Sequence, residues 1–207
     1  MTGFYERTIL PRLIDFGCRQ HQVTDQRRRV VPQAEGRVLE LGIGSGLNLP
    51  LYDPAKVTSV VGVDPAEPML DRARPKLEGL GFPVELRPVP AEAAGLDAAE
   101  FDTVLVTYSL CTIPGAAAAL EAARRALKPG GRLLYCEHGR APDPGPARWQ
   151  RRIEPLWKRI GGGCHLTRDP AALLERAGFR TEREDRFYIA GAPRVFGYHY
   201  LGSARPG

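Results

Sequence analysis

An acidic residue followed by three alternating glycines is the part of this sequence whose residue types and spacing most clearly predict chemistry. Glu40 lies in an apolar run, and Gly42, Gly44 and Gly46 follow it at every second position. Glycine adopts positive φ without strain and leaves backbone N–H groups open to a ligand that a side chain would shield. The pattern therefore predicts a strand that turns into a cofactor-binding loop.

The spacing of these glycines discriminates between cofactors. The dinucleotide fingerprint G-x-G-x-x-G needs a third glycine where this chain has Leu47. A carboxylate at Glu40 favours a cationic ligand, and Asp64, about 20 residues further on, has the spacing of a side chain that binds ribose hydroxyls. We therefore predict S-adenosylmethionine, with Asn48 available for its carboxylate. The alternative is a tight structural turn followed by a surface aspartate.

The remaining apolar runs alternate between strand-like and helical patterns. Such alternation is typical of βαβ units, in which helices cover both faces of a parallel sheet. The Pro-rich segment 141–146 is expected to be a loop, because proline interrupts regular hydrogen bonding. The predicted strands are 37–41, 59–63, 84–88, 101–107, 131–137, 181–189 and 195–201, and the predicted helices are 66–80, 115–127 and 171–177.

Taken in order, these segments resemble the class I S-adenosylmethionine-dependent methyltransferases over nearly the whole chain. The resemblance is carried by the glycine loop, by Asp64-Pro65 with Met69 beyond it, and by the runs 101–106 and 127–131. It implies a Rossmann-like doubly wound α/β sheet that is mostly parallel and ends in an antiparallel strand pair. It also implies S-adenosylmethionine as the cofactor.

Further cofactor contacts follow from the resemblance. The family often has an aspartate where this chain has Pro90, so we expect backbone groups of Ala91 or the Glu92 carboxylate to contact the adenine. The segment that begins at Thr107 is expected to form the floor of the cofactor pocket near the methyl group. The complete cofactor-binding set comprises Glu40, Gly42, Gly44, Gly46, Asn48, Asp64, Pro65, Met69, Ala91, Glu92 and Thr107.

Two residues at strand ends are candidate catalytic groups. Tyr108 follows the fourth strand and His138 ends the fifth, and ligands of an open α/β sheet bind beyond the carboxyl ends of its strands. Imidazole titrates near neutrality, so His138 is suited to take a proton from the acceptor or to orient it. The alternatives are a structural histidine held by the following loop and, for Tyr108, a polar group satisfied in the core.

A narrower resemblance lies beyond the fifth strand. The pair Glu137-His138, the two tryptophans Trp149 and Trp157, and the stretch 160–168 are similar to the animal microsomal alkyl thiol S-methyltransferases and their bacterial relatives. This likeness implies a substrate-pocket insert at 141–169 and a small thiol, or a similar soft nucleophile, as the acceptor. The hydrophobic N-terminal anchor of that family is not present, so we do not expect its membrane attachment.

The insert contains most of the residues that we expect at the acceptor site. The two tryptophans are expected to form an aromatic wall, the alternative being ordinary lid packing. Positive charge from His138, His165 or Arg168 would raise the fraction of the acceptor thiol that is ionised to thiolate. Cys164 is expected to be neither nucleophile nor metal ligand, because it lacks two further ligands at recognisable spacing, and glycines 161–163 are expected to be a hinge. The predicted acceptor site comprises Trp149, Trp157, Cys164, His165 and Arg168.

Composition sets the wider expectations. With 207 residues and 43% hydrophobic content, the chain can bury one core, and we expect one domain with residues 1–34 as a helical lid. Its four scattered cysteines predict a reducing compartment, the cytoplasm. The net charge of +5 comes from dispersed arginines, so we do not expect nucleic acid as a partner. We do not expect an integral membrane segment either, because no apolar run approaches the length of a membrane span. The N-terminal helix has an apolar face, so peripheral contact with a lipid surface is an open alternative. The sequence does not indicate the oligomeric state.

The function predicted from these features is methyl transfer from S-adenosylmethionine to a small thiol by direct in-line displacement, without a metal. The nearest alternatives are a phospholipid amine N-methyltransferase and a quinone C-methyltransferase, which share the same core and glycine loop. From other classes, an NAD-dependent oxidoreductase is disfavoured by Leu47 and Glu40. A non-catalytic cofactor-binding protein is the remaining alternative.

Overall fold

The computed structural model describes residues 8–207, and these form seven strands and six α-helices. The strands are β1 (Gly36–Leu41), β2 (Val57–Val63), β3 (Val84–Arg87), β4 (Phe101–Thr107), β5 (Leu127–His138), β6 (Phe179–Tyr188) and β7 (Tyr198–Pro206). The helices are α1 (Leu10–Cys18), α2 (His21–Val30), α3 (Glu67–Ala73), α4 (Ala116–Ala126), α5 (Pro144–Ile160) and α6 (Pro170–Arg176).

The strands form one sheet in the order β3-β2-β1-β4-β5-β7-β6. Neighbouring strands from β3 to β5 pair in parallel, whereas β7 is antiparallel to both β5 and β6. The predicted fold class, a doubly wound and mostly parallel sheet with a C-terminal antiparallel pair, is confirmed. The order reverses at β1 and β4, and the carboxyl ends of these two strands flank the crevice where open α/β sheets bind ligands.

Helices cover both faces of the sheet because its central strands are apolar on both faces. On β1, Leu39 and Leu41 belong to one buried cluster, whereas Val38 belongs to the other. Leu120 of α4 packs in the first cluster and Leu70 of α3 in the second. Each fully buried side chain of this size contributes about 1.5–3 kcal/mol of apolar burial. The two clusters therefore hold the strand ends rigidly in place.

Proline positions explain two departures from the predicted elements. The helix expected at 66–80 ends at Ala73, and a 3-10 turn (Arg74–Leu77) follows, because Pro75 has no N–H to continue the helix. The expectation that 141–146 is a loop is wrong for its second half, since α5 begins at Pro144. The first N–H groups of a helix have no intrahelical partner, so proline is tolerated there.

The N-terminal helices lie against the carboxyl edge of the sheet. Asp15 of α1 accepts a hydrogen bond from the Ser45 hydroxyl in the glycine loop at 2.5 Å, and Arg27 of α2 is buried beside Asn48. The first seven residues of the predicted lid, 1–34, lie outside the described part of the chain. No helix within residues 8–207 is long and apolar enough to cross a membrane.

Candidate functional site

The glycine loop after β1 has the conformation that its sequence predicts. Gly42, Gly44 and Gly46 have φ of 71°, 53° and 69°, values at which glycine is free of strain. A Cβ at Gly42 would lie 2.3 Å from the Ser109 hydroxyl, and a Cβ at Gly46 would lie 2.7 Å from Leu49. Packing against neighbouring residues therefore requires the first and third glycines.

The middle glycine is different, because space is open beside it. The atom nearest to a Cβ at Gly44 would be Met69 Cε, at an ordinary 3.4 Å. Asp64 lies at the same point: its Oδ2 accepts the Gly44 N–H at 3.0 Å and its Oδ1 accepts the Ala66 N–H at 2.8 Å. Burial raises the pKa of Asp64, and these two hydrogen bonds offset part of the rise.

This arrangement fits an adenosine-containing cofactor. The Asp64 carboxylate keeps free acceptor lone pairs after binding two N–H groups, and it lies beside a backbone that a ligand can reach. Met69 is buried on the same side, and Pro65 is exposed next to the carboxylate. The structure thus brings together the four predicted residues Gly44, Asp64, Pro65 and Met69.

Glu40 and Asn48 instead belong to a buried hydrogen-bond network. Asn48 Nδ2 donates to Glu40 Oε1 at 2.8 Å and to Thr107 Oγ1 at 2.9 Å, and the Tyr52 hydroxyl donates to Glu40 Oε2 at 2.6 Å. The expectation that Asn48 is available for the cofactor's carboxylate is wrong, because its amide is already bonded inside the protein. Burial raises the pKa of Glu40 to about 7, against the effect of the Tyr52 and Asn48 hydrogen bonds. The buried Glu40 carboxyl group therefore binds a proton more readily than an exposed one does.

Arg27 completes this network and was not among the predicted site residues. Its Nη1 donates to Asn48 Oδ1 at 2.9 Å and to Thr107 Oγ1 at 2.5 Å, and only 5% of the residue is exposed. The sequence contains a signal for this burial: Val23, Arg27 and Val30 have the spacing of one helix face. The basic cluster Arg27-Arg28-Arg29 hid that signal, because its other members are exposed.

The two residues expected at the adenine differ in their surroundings. Ala91 is 4% exposed and packs in the core cluster beneath α4. Glu92 is exposed, and its carboxylate lies against Gly115 at the start of α4, where a Cβ would meet Oε1 at 3.2 Å. Glu92 therefore contacts the neighbouring helix, while Ala91 remains as a backbone position at the end of the β3 loop.

Tyr108 lies on the α2 side of the sheet. Its φ is 53°, and the Arg27 guanidinium lies 4.8 Å from its ring centroid. Its hydroxyl accepts a hydrogen bond from Cys136 Sγ at 3.4 Å, and its ring contacts His199 at 5.5 Å. Burial holds the pKa of Tyr108 well above its ordinary value. This placement disfavours the predicted catalytic role and supports the alternative, a polar group satisfied in the core.

Glu137 organises the loop that follows β4. It is fully buried, and its Oε1 accepts the Ser109 N–H at 2.8 Å. The Ser109 hydroxyl lies 3.2 Å from the carbonyl oxygen of Gly42 and 3.0 Å from that of Thr107. These contacts fasten the β4 loop to the glycine loop. Sequence reasoning had grouped Glu137 with His138 without finding this bracing role.

Beyond this loop, three side chains from separate segments meet. His138 Nε2 lies 3.3 Å from Cys164 Sγ, and Cys111 joins them so that the three ligand atoms lie within 4.8 Å of one another. Cys111 and Cys164 are buried and His138 is partly buried. Burial lowers the pKa of His138, but the Cys164 contact outweighs it and the net pKa is raised. His138 therefore ends β5 as predicted, and it is paired with a cysteine for which we expected no such role.

The two tryptophans of α5 are separated by the structure. Trp157 packs against Phe196, with centroids 4.7 Å apart, beside Cys111 and Cys164. Trp149 is 57% exposed and stacks with the Arg152 guanidinium at 5.7 Å. A wall built from both tryptophans is therefore wrong, because the helix directs one ring inward and the other to solvent.

Two cationic side chains expected near the acceptor are engaged elsewhere. Arg168 Nη1 donates to the carbonyl oxygens of Leu110 and Ile113. His165 Nδ1 lies 3.5 Å from Glu154 Oε1, and burial lowers its pKa. The hydrogen bonds of Arg168 and the His165–Glu154 contact thus brace the β4 loop and the insert, while the Arg168 guanidinium keeps its charge beside Cys111.

Comparison with known proteins agrees with this geometry. Residues 39–135 match the family model described as "Methyltransferase domain". Thiol S-methyltransferase TMT1B of Rattus norvegicus is 36% identical over 147 residues, which are 70% of this chain and 60% of that protein. The ubiquinone/menaquinone biosynthesis C-methyltransferase UbiE of Syntrophotalea carbinolica is 31% identical over 199 residues, 84% of this chain and 81% of that one.

The fold is also similar to solved methyltransferase structures. A SAM-dependent methyltransferase from Leishmania major superposes with a TM-score of 0.70 at 17% identity, over 97% of this chain and 80% of that one. At this identity the likeness concerns the fold. The chain spans about 60% of the length of the TMT1B relative.

Proposed function

Because the chain belongs to the class I S-adenosylmethionine-dependent methyltransferases, we propose that it transfers the methyl group of that cofactor to a small thiol. The observation that carries the proposal is the apolar cluster beyond β4 and β5, in which Trp157, Ile153 and Phe196 pack against Cys111 and Cys164. The similarity to a thiol S-methyltransferase supports it. Family membership also excludes the alternative function of an NAD-dependent oxidoreductase, which Leu47 and Glu40 already disfavour.

Cofactor binding is assigned to the glycine loop and its surroundings. The open backbone at Gly44 and the Asp64 carboxylate suit the adenosine ribose, with Met69 beside them. Arg27, rather than Asn48, would bind the cofactor's carboxylate, because its guanidinium is cationic and its Nε is buried without a hydrogen-bond partner among the described residues. Bound S-adenosylmethionine supplies an electrophilic methyl group.

The protein's own contribution to catalysis is positioning. An in-line displacement requires the acceptor sulfur about 3 Å from the methyl carbon, aligned with the bond that breaks. The β4 loop, braced by Glu137 and Arg168, and the insert 141–169 would form the rigid walls that hold the acceptor there. The helices within residues 1–34 would cover the cofactor, with Arg27 and Asp15 as their contacts to the sheet edge.

The direct test measures S-adenosylhomocysteine release with separate acceptors. Hydrogen sulfide and small alkyl thiols should give turnover, whereas phosphatidylethanolamine vesicles and a reduced quinone should not. Trp149→Ala serves as a matched control, since this ring is exposed to solvent. Turnover with vesicles or quinol alone would overturn the thiol assignment and leave the cofactor site in place.

A lipophilic acceptor is the second candidate, and a specific surface favours it. Leu13 and Phe16 of α1 are 53% and 70% exposed, and Leu156 of α5 is 64% exposed. The two helices adjoin near Gly162, where a Cβ would meet Ile14 at 3.1 Å. Apolar residues flanked by arginines are typical of helices that lie on anionic lipid. A quinone ring carbon, as the name of the UbiE relative suggests, or a phospholipid amine would then be the acceptor.

We place the protein in the cytoplasm. All four cysteines are free thiols, which suits a reducing compartment. Fractionation of cells that express the tagged protein tests this, and recovery in a membrane fraction that salt does not release would contradict it.

A further inference from the structure

Three soft ligands converge beside the proposed acceptor site. Cys111 follows β4, His138 ends β5 and Cys164 lies in the insert after α5. Their Sγ, ring nitrogen and Sγ atoms all lie within 4.8 Å of one another, and the Cys164–His138 distance is 3.3 Å. Sequence spacing could not show this set, because its members come from three different parts of the chain.

The backbone around these residues is held independently of their side chains. The His165 N–H donates to the carbonyl oxygen of Cys111 at 2.9 Å, and the Cys164 N–H donates to Gly161 at 3.2 Å. Arg168 binds the carbonyl oxygens on both sides of Cys111, those of Leu110 and Ile113. The two thiols and the imidazole are thus held in place while their own polar atoms face mainly one another.

The surroundings of the three side chains are apolar. Leu166 and the partly buried Ile153, Trp157 and Phe196 enclose the two sulfurs. Two cysteine sulfurs beside an imidazole in an apolar shell are a donor set that binds soft or borderline divalent ions, whereas Mg²⁺ and Ca²⁺ prefer oxygen.

We propose that Cys111, His138 and Cys164 bind one Zn²⁺ ion, whose fourth position takes the acceptor sulfur. Zinc forms bonds of about 2.3 Å to sulfur and about 2.0 Å to imidazole nitrogen, which separate tetrahedral ligands by about 3.5–3.8 Å. The Cys164–His138 distance of 3.3 Å is close to these values, and the whole set, within 4.8 Å, would contract by up to about 1 Å around the ion. Three protein ligands with one open position are typical of catalytic rather than structural zinc. No fourth acidic, cysteine or histidine side chain within the described residues joins the set.

This site deepens the proposed function and rests on it for the role of the fourth ligand. A thiol that binds there releases its proton to solvent and becomes a metal-bound thiolate at neutral pH. Its sulfur forms a bond to the methyl carbon while the carbon–sulfur bond of the sulfonium breaks. S-adenosylhomocysteine leaves as a neutral thioether, and the ion is neither oxidised nor reduced.

Metal binding is measured on the purified, chelator-treated full chain. Zn²⁺ titrated in competition with a chromophoric chelator should bind at one ion per chain, and Co²⁺ should give thiolate-to-metal charge-transfer absorption. Cys111→Ser and Cys164→Ser should each weaken Zn²⁺ binding by about 100-fold or more, and each should remove part of that absorption. Cys136→Ser is the matched control, because this buried cysteine contacts Tyr108 and is outside the set. Circular dichroism and S-adenosylhomocysteine binding check that each variant is folded.

The possible results separate the two proposals. Absence of stoichiometric binding, or binding that is equal in the wild type and in both cysteine variants, overturns the zinc site. A Cys111–Cys164 disulfide in the purified protein, with no metal bound after its reduction, does the same. Thiol turnover at an undiminished rate in metal-free protein overturns the fourth-ligand role and leaves the methyltransferase intact. Zinc bound at these residues without any thiol turnover supports the site and counts against the thiol acceptor.

Discussion

Polar residues at the binding edge divide into those that hold the protein together and those left for a ligand. Asn48 donates hydrogen bonds to both Glu40 and Thr107, so the polar atoms of these residues stabilise the edge. Gly44 and Asp64 keep open backbone and free lone pairs beside each other. Both kinds of residue lie at the end of a strand or in the loop after it, so residue type and position alone do not distinguish them.

Replacing Asp64 tests the cofactor assignment. We expect Asp64→Ala to raise the Kd of S-adenosylhomocysteine by about 10-fold or more, because a hydrogen bond to a charged group is worth about 1.5–3 kcal/mol. Isothermal titration calorimetry measures this Kd. Asp64→Asn is a second variant that keeps the shape of the side chain and removes its charge. Asp71→Ala is the control, since that carboxylate is 64% exposed on α3, the helix that follows Asp64. An unchanged Kd in Asp64→Ala would contradict the assignment.

The two tryptophans of α5 provide a matched pair. Trp157→Ala should raise the KM for an alkyl thiol by about 3- to 10-fold, because an aromatic contact is worth about 0.5–1.5 kcal/mol. Trp149→Ala should leave KM unchanged, since its ring is 57% exposed. Steady-state kinetics with saturating cofactor give both values. Equal effects of the two substitutions would show that Trp157 does not contact the acceptor.

At the scale of elements, the insert is attached to the sheet by a few buried polar contacts. The side chain of Gln150 is 1% exposed, accepts the Ala141 N–H at 2.9 Å and donates to Gly139 and Val195 at 3.0 Å. Glu154 accepts both the N–H and the hydroxyl of Thr167 at 2.7 Å. Helix α5 thereby holds the two segments on either side of the acceptor site.

Removing the Gln150 amide should loosen this attachment. Gln150→Ala leaves buried backbone groups without partners, and we expect the free energy of unfolding to fall by about 2–3 kcal/mol. Urea denaturation measures the loss, and limited proteolysis should cut first within 140–168. The exposed neighbour Arg151 gives the control, Arg151→Ala. If both variants unfold at the wild-type urea concentration, Gln150 does not anchor the insert.

At the scale of the whole molecule, the two buried clusters join the N-terminal helices, the sheet and the C-terminal hairpin into one cooperative unit. Glu40 lies inside this unit, faced by Arg27, Tyr52 and Asn48. Its charge state is therefore linked to global stability rather than to a local surface effect.

Stability should decline with pH through the Glu40 titration. The pKa of Glu40 is about 7 in the folded protein and 4.5 ordinarily, so the folded state holds a proton that the unfolded chain has lost. The contribution of Glu40 is largest below about pH 4.5 and falls until about pH 7. Relative to Glu40→Gln, the wild type should lose up to about 3 kcal/mol of unfolding free energy between about pH 5 and pH 8. Urea denaturation at each pH measures this, and parallel curves would refute it.

Local sequence patterns were enough to predict the sheet, its main strands and the cofactor loop. These depend on local patterns: apolar runs for β1, β2 and β4, alternating glycines, and an acidic residue at the end of β2. The local pattern gave a wrong prediction at Pro144. Proline is typical of loops, but the first turn of a helix also tolerates it, and α5 begins at this residue.

Which side chains meet depends instead on the three-dimensional fold. Arg27 reaches Thr107, and Cys111, His138 and Cys164 come together, because parallel strands bring their carboxyl ends to one edge while helices return between them. The burial that raises the pKa of Glu40 and directs Trp157 inward and Trp149 outward has the same origin. The spacing of residues in the sequence indicates local geometry. The burial of a polar group and the set of side chains around a ligand depend instead on residues that are distant in the chain.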